Sequence, residues 1–219
     1  MPSSGPHLIE TLRVRRGQIP LLDRHLSRLE RARGFFGYAR PDPDLVTLAT
    51  SYGAAREAIL RVEVGENHAV MTTRRFVEDP PITIITAKTV HRPYPYKTTA
   101  RDCFDAAASE ATAAGADDAL LLTPDGVVAE GTRWSVFWWE GRRLVTPALS
   151  LGVLPGVGRR RILELVRGAV ESASPRSALT GRSLFVVNAV RGVQSVATLD
   201  GATVPEDPET SALARAFWP

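Results

Sequence analysis

Residues 115–146 read GADDALLLTPDGVVAEGTRWSVFWWEGRRLVT. Four runs rich in apolar residues, Ala119 to Thr123, Val127 to Glu130, Ser135 to Trp139 and Leu144 to Thr146, follow closely, punctuated by Pro124-Asp125-Gly126 and Glu140-Gly141. Runs this short, bounded by turn-forming residues, are strands rather than helix. An alanine-rich helix, Cys103 to Ala114, precedes them and is stopped by Gly115. A helix over 157–171 follows, entered through Leu154-Pro155-Gly156-Val157-Gly158. The fold class is therefore α+β.

Working outward, Ile82 to Thr86 is a buried-type strand with Lys88 at its end, and Leu184 to Asn188 and Val193 to Leu199 are further strands before a terminal helix at 209–217. Towards the start, His7 to Arg15 alternates as a strand and turns at Arg16-Gly17-Gln18. Pro20 and Asp23 introduce a helix in which Leu22, Leu26, Leu29, Ala32 and Phe36 form an apolar face. Pro41-Asp42-Pro43-Asp44 caps a second helix, about Leu45 to Ala58, and Leu60 to Val64 with Ala69 to Thr73 make a hairpin around Gly65-Glu66-Asn67. Glu78-Asp79-Pro80-Pro81 continues neither element and is the linker. This predicts a small α+β lobe over 1–78 and a larger one over 82–219.

Composition narrows the function. The 219 residues carry 44% hydrophobic and 23% charged side chains and a net charge of +3, ordinary for a soluble domain. So small a charge does not mark a nucleic-acid binder; the run Arg159-Arg160-Arg161 is a solvated face or an anion site. One cysteine, Cys103, leaves no internal disulfide and no cysteine-based metal site. No apolar run approaches the roughly 20 residues of a membrane span, and Met-Pro-Ser-Ser-Gly-Pro is no signal peptide, so the expectation is a cytoplasmic protein.

Of 27 basic residues only Lys88 and Lys97 are lysines. Arginine serves as well for surface charge but cannot shed its proton to become a nucleophilic amine, so a chain poor in lysine can be keeping one for its amine. Lys97 stands in Tyr94-Pro95-Tyr96-Lys97-Thr98-Thr99-Ala100-Arg101, behind a proline-stiffened approach. Three further features matter. Glu130 is a carboxylate on an otherwise apolar strand, which either faces solvent or is held by a cationic partner. The turn from Leu154 to Arg159 sets glycines at a helix start, where free backbone N–H groups and the helix dipole favour an anion. Arg28, bordering the apolar stripe of the first helix, can reach inward as a fork for phosphate or carboxylate. Amine, carboxylate, phosphate-binding helix start and arginine fork together are the set that pyridoxal 5'-phosphate (PLP) requires.

The segments LIETLRV, LLDRHLSRLERARGFFG, YKTTARDCFDAA, GADDALLLTPDGVVAEGTRWSVF, LVTPALSLGVLPGVGR and FVVNAVRGV lie in order over nearly the whole chain. In them the sequence resembles the class IV, or fold type IV, PLP-dependent aminotransferase family, and most of all its aminodeoxychorismate lyases. The resemblance implies a two-lobed fold like that of D-amino-acid and branched-chain aminotransferases, with a shortened N-terminal lobe. It implies that Lys97 forms the Schiff base and moves protons, that Glu130 pairs with the pyridine nitrogen, and that Arg28 and the backbone of Val157 and Gly158 bind the phosphate. Asn188 and Ala189 match a segment near the cofactor, and Arg191 is the candidate for a substrate carboxylate. No metal is implied.

Departures from the family pattern are equally plain. Gly158 stands where a threonine or serine is usual, Trp134-Ser135 where Ser-Asn is usual, and Phe104 where a tyrosine is frequent. An earlier strand pair and a Gly-Asp-Gly turn before ETLR are missing. The expected activity is conversion of aminodeoxychorismate to p-aminobenzoate and pyruvate, a step of folate biosynthesis. The alternatives are transamination of D- or branched-chain amino acids and a non-catalytic PLP-binding homologue. The resemblance also implies a homodimer, for which Phe35, Phe36, Trp138 and Trp139 are candidate interface aromatics, acting on a small amino substrate with neither nucleic acid nor membrane as partner.

Overall fold

The computed structural model of the protein describes residues 5–40, 47, 57–66, 68–77 and 82–219. The expected helix over 45–58 falls almost wholly outside the described residues, and the linker at 78–81 does so entirely. The chain divides into two units, one built on residues 1–78 with 96–100, the other on 79–95 with 101–218.

In the first unit β1 (Leu8–Val14), β2 (Ala58–Val64) and β3 (Ala69–Arg75) form an antiparallel sheet in that order, and α1 (Leu22–Phe36) packs on it. Alternation along β1 puts Leu8, Leu12 and Val14 on one side, where they meet Leu29 and Ala32 of α1 and Leu60, Val62 and Val64 of β2. Burying each of the large aliphatics contributes about 1.5–3 kcal/mol. The helix stops at Gly37, whose positive φ of 72° suits a residue without Cβ and whose N–H returns to the Arg33 carbonyl. The outer edge of β1 is also paired: the Ile9 amide donates to the Lys97 carbonyl at 2.8 Å, and the Thr99 amide to the His7 carbonyl at 2.8 Å. Residues 97–99 thus join this unit as a short antiparallel strip opposite Leu8.

The second unit holds β4 (Ile82–Val90), α2 (Asp102–Ala113), β5 (Asp118–Leu122), β6 (Val128–Gly131), β7 (Ser135–Glu140), β8 (Arg143–Pro147), α3 (Val157–Leu165), β9 (Val170–Ser172), β10 (Leu184–Asn188), β11 (Gly192–Leu199), β12 (Ala202–Thr203) and α4 (Pro208–Ala216). Its strands run in the order β6-β5-β4-β11-β10-β7-β8-β9, with β12 added beside β11. β4 is parallel to both β5 and β11, β8 is parallel to β9, and the other pairs are antiparallel. One core packs Ile84, Leu120, Trp134, Val136, Trp138 and Val186. The Phe137 and Phe185 rings stack at 5.2 Å.

Several expectations need correction. β4 runs on to Val90, so Lys88 lies within it rather than at its end. α3 stops at Leu165 instead of 171; Gly168, at φ 94°, turns the chain into β9, which pairs with β8. Trp138 and Trp139 are buried and cannot serve an interface, whereas Phe35 is 65% exposed and stacks on Tyr96 at 4.4 Å. Only part of the arginine run is a solvated face: Arg160 is exposed, whereas Arg159 is buried and Arg161 half-buried. Arg159 is buried against the Pro147 carbonyl and Glu171, Arg160 pairs with Glu164, and Arg161 donates to the Ala216 and Phe217 carbonyls that end α4. Among the described residues no helix is long and apolar enough to cross a membrane.

Candidate active site

In the first unit the polar residues gather where α1 crosses β1. Glu10 is the one acidic residue of β1 and points to the side that α1 covers. From α1, Arg28 donates Nε–H to Glu10 Oε1 at 2.8 Å and Nη2–H to Oε2 at 2.6 Å, and His25 Nδ1 lies 2.6 Å from Oε2. His25 and Arg28 are three residues apart, on one face of the helix. Burial alone would raise the Glu10 pKa, but the charges and hydrogen bonds of Arg28 and His25 outweigh it and hold the carboxylate at about 2. Burial pushes His25 below its ordinary 6.5, and the positive charges of Arg28 and Lys97 act in the same direction against the pull of Glu10. The ring is therefore neutral, with Nδ1–H donating to Glu10. Arg28 and Lys97, both singled out in the sequence, thus share one neighbourhood around His25. The Arg28 Nη1 group makes no hydrogen bond to the described residues.

In the second unit Glu130 is 5% exposed, so the solvent-facing reading of this carboxylate is overturned. Its Oε1 is held at 3.0 Å by His91 Nε2 and at 3.0 Å by the Leu154 backbone N–H. Oε2 makes no hydrogen bond among the described residues. His91, which sequence reading missed, is itself buried and packs edge-on to Phe104 at 6.0 Å. Phe104 belongs to the core beneath α2.

Leu154 leads into the turn before α3. Val157 and Gly158 are the first residues of that helix, so their N–H groups have no carbonyl within it to bond. A Cβ on Gly158 would stand 2.8 Å from the Asn188 carbonyl carbon and 2.9 Å from its Cα, so the helix start rests directly on the end of β10 and leaves no room for the usual hydroxyl side chain. A Cβ on Gly156 would meet Ser135 Oγ at 2.9 Å. Trp134 lies in the core, so its large ring is a packing element. Asn188 Oδ1 accepts from the backbone N–H of Val190 at 3.0 Å and of Arg191 at 2.9 Å, which fixes the turn carrying Ala189. The second unit therefore brings together Glu130, through Leu154, the helix start at Val157 and Gly158, and Asn188 with its turn.

Residues 7–199 match the amino-transferase class IV family, and the chain belongs to it. It is 51% identical over 47 residues to aminodeoxychorismate lyase from Bacillus subtilis, a stretch of 22% of this chain and 16% of that protein. It is 30% identical over 104 residues to "Probable branched-chain-amino-acid aminotransferase" from Aquifex aeolicus, 45% of this chain and 33% of that one. The matched stretches thus span one third or less of these curated relatives. The fold agrees with that of a hypothetical aminotransferase from Mycobacterium tuberculosis in its PLP-bound form, with a TM-score of 0.85 over 97% of this chain and 87% of the other at 21% identity.

PLP is the family's cofactor, and the donor set fits it. A buried carboxylate with one oxygen held and the other unbonded suits a protonated ring nitrogen. In the second unit a helix start whose first amides have no carbonyl within the helix suits a phosphate, and in the first unit so does an arginine whose Nη1 makes no hydrogen bond to the described residues. Lys97 carries an amine of the kind a Schiff base needs.

Proposed function

We propose that the protein is a PLP-dependent lyase that converts aminodeoxychorismate to p-aminobenzoate and pyruvate. The observation that carries the cofactor assignment is Glu130, buried, fixed through one oxygen by His91 and Leu154, and unbonded at the other. The 51% identical stretch shared with a named aminodeoxychorismate lyase supports the substrate.

PLP, when bound, supplies an electron sink for the pair left on the amine-bearing carbon when its proton departs. The rest falls to side chains of this chain. Lys97 Nζ would hold the cofactor and, as a neutral amine, would take the proton from the amine-bearing carbon of the substrate. Glu130 Oε2 accepts the ring N–H and keeps it protonated. The Val157 and Gly158 amides and Arg28 Nη1 take the phosphate, with Asn188 and Ala189 beside the cofactor and Arg191 on a substrate carboxylate. The protein acts as a homodimer in this reading.

A second reading, transamination of a branched-chain or D-amino acid, draws on the longer match to the Aquifex aeolicus protein. It requires Lys97 to return the proton to a different atom, so both reactions use the same residues. Incubation with aminodeoxychorismate separates them. Release of p-aminobenzoate with equimolar pyruvate supports the lyase. Keto-acid formation from a D- or branched-chain amino acid, with no p-aminobenzoate, replaces it with the transaminase. A protein that stays colourless after PLP is added would be no PLP enzyme, and one that takes up PLP but turns over neither substrate would be a non-catalytic PLP-binding homologue.

A further inference from the structure

Glu10 and His25 have no part in the roles assigned so far, yet both are fully enclosed, bonded to each other, and joined by Arg28 on the same carboxylate. Stability alone does not explain why an ionic group, and not an apolar one, is buried here. Taking a carboxylate and a guanidinium out of water costs several kcal/mol, which their attraction repays only with good geometry, and apolar residues of similar volume often do as well. What a buried bidentate pair does deliver is orientation. The guanidinium is planar and rigid, so binding its Nε–Nη2 edge to a fixed carboxylate dictates where Nη1 points.

His25 serves the same end. Among the described residues its Nε2 is buried without a hydrogen-bond partner, and the ring's one hydrogen bond is from Nδ1–H to Glu10. The strand fixes the Glu10 backbone, the imidazole fixes Oε2, and the carboxylate fixes Arg28. In simple Coulomb terms the arrangement runs against anion binding, because it sets a negative charge beside the group meant to attract a phosphate. It is favourable only where orienting Nη1 matters more than the charge it offsets.

We infer that Glu10, held by His25, is a positioning residue for Arg28, clamping one edge of the guanidinium so that Nη1 is presented to the cofactor phosphate. The inference rests on the proposed reading of Arg28 as a phosphate ligand, and it fixes the sign of an effect. Removing the Glu10 charge weakens PLP binding, whereas electrostatics alone would tighten it.

The test compares dissociation constants of PLP and of pyridoxal, which lacks the phosphate, by absorbance titration of the full-length apoprotein. Arg28→Gln should weaken PLP about tenfold or more and leave pyridoxal unchanged; no change in PLP affinity would remove Arg28 from the phosphate site and end both readings. With that established, Glu10→Gln should also weaken PLP about tenfold with pyridoxal unchanged, the order of loss typical when a group supporting a liganding side chain is removed. In an Arg28→Gln background it should have no further effect. Unchanged or tighter PLP binding by Glu10→Gln, or an equal loss for both ligands, overturns the positioning role while leaving Arg28 as a ligand. If Glu10→Gln is not recovered folded, His25→Leu replaces it: an approximately threefold or greater loss selective for PLP supports the inference, and unaltered PLP affinity overturns it.

Discussion

The Ile9 amide donates to the Lys97 carbonyl at 2.8 Å, so the main chain of the proposed cofactor lysine is held as part of a sheet edge. A side chain on such a strip can be exchanged without loosening the backbone beneath it. Lys97→Ala should therefore unfold within about 0.5 kcal/mol of the parent, as is usual away from core contacts. It should also lose the near-visible absorbance of the PLP-loaded protein and the mass added by borohydride reduction. If reduction still adds the cofactor's mass to the variant, at Lys88 for example, the anchor has been misassigned.

Glu130→Gln preserves shape and the bond from Leu154 N–H but replaces a carboxylate with a neutral amide. A ring nitrogen facing it would no longer be held protonated, so turnover should fall about 100-fold or more, the scale of losing one well-placed charge stabiliser. Reduction by borohydride should still attach PLP. Turnover within threefold of the parent would mean that the ring nitrogen does not face Glu130.

Gly158 marks where this chain departs from its family, and the packing makes the departure self-consistent. A threonine there would press its Cβ to within 2.9 Å of the Asn188 backbone, which cannot yield as a flexible side chain does. Gly158→Thr should destabilise by about 1–3 kcal/mol through overpacking and weaken PLP instead of adding a phosphate hydrogen bond. Urea unfolding and PLP titration give the two quantities. Tighter PLP binding at unchanged stability would show that the helix start can move off β10.

Much of this was legible in the sequence because it is local. Lys97 stood out by the scarcity of lysine, Glu130 as a carboxylate in an apolar strand, and the helix start by Pro155, Gly156 and Gly158. The partners that define the site were not legible, because they are brought together by tertiary pairing. His91 lies 39 residues from Glu130, and Glu10 lies 18 from Arg28. An acid on the face of β1 otherwise made of Leu8, Leu12 and Val14, and a histidine three residues before an arginine on one helical face, were the available signals. Both acquire meaning only once α1 is known to cover that side of β1. The premature end of α3 has the same origin: β9 is three residues long and exists because β8 offers it an edge. Arg159 looked like surface charge because a sequence does not reveal that Glu171 and the Pro147 carbonyl await it.

The same triad makes the protein sensitive to acid, in two stages whose signs agree. Buried His25 titrates below its ordinary 6.5, among Glu10, Arg28 and Lys97. The unfolded chain therefore binds its proton first, and the stability this contributes above pH 6.5 is lost as pH falls through that value. Glu10 is held at about 2 against an ordinary 4.5. Its contribution, about 3 kcal/mol, is complete above pH 4.5 and disappears as pH falls from there towards 2. Urea unfolding of the parent should weaken from pH 7 to pH 5 and weaken further below 4.5. His25→Leu should flatten the first stage, because no imidazole remains to be protonated on unfolding, and Glu10→Gln should flatten the second. If His25→Leu follows the parent's slope between pH 7 and 5, the acid sensitivity in that range belongs to other groups and His25 is not held neutral by its burial.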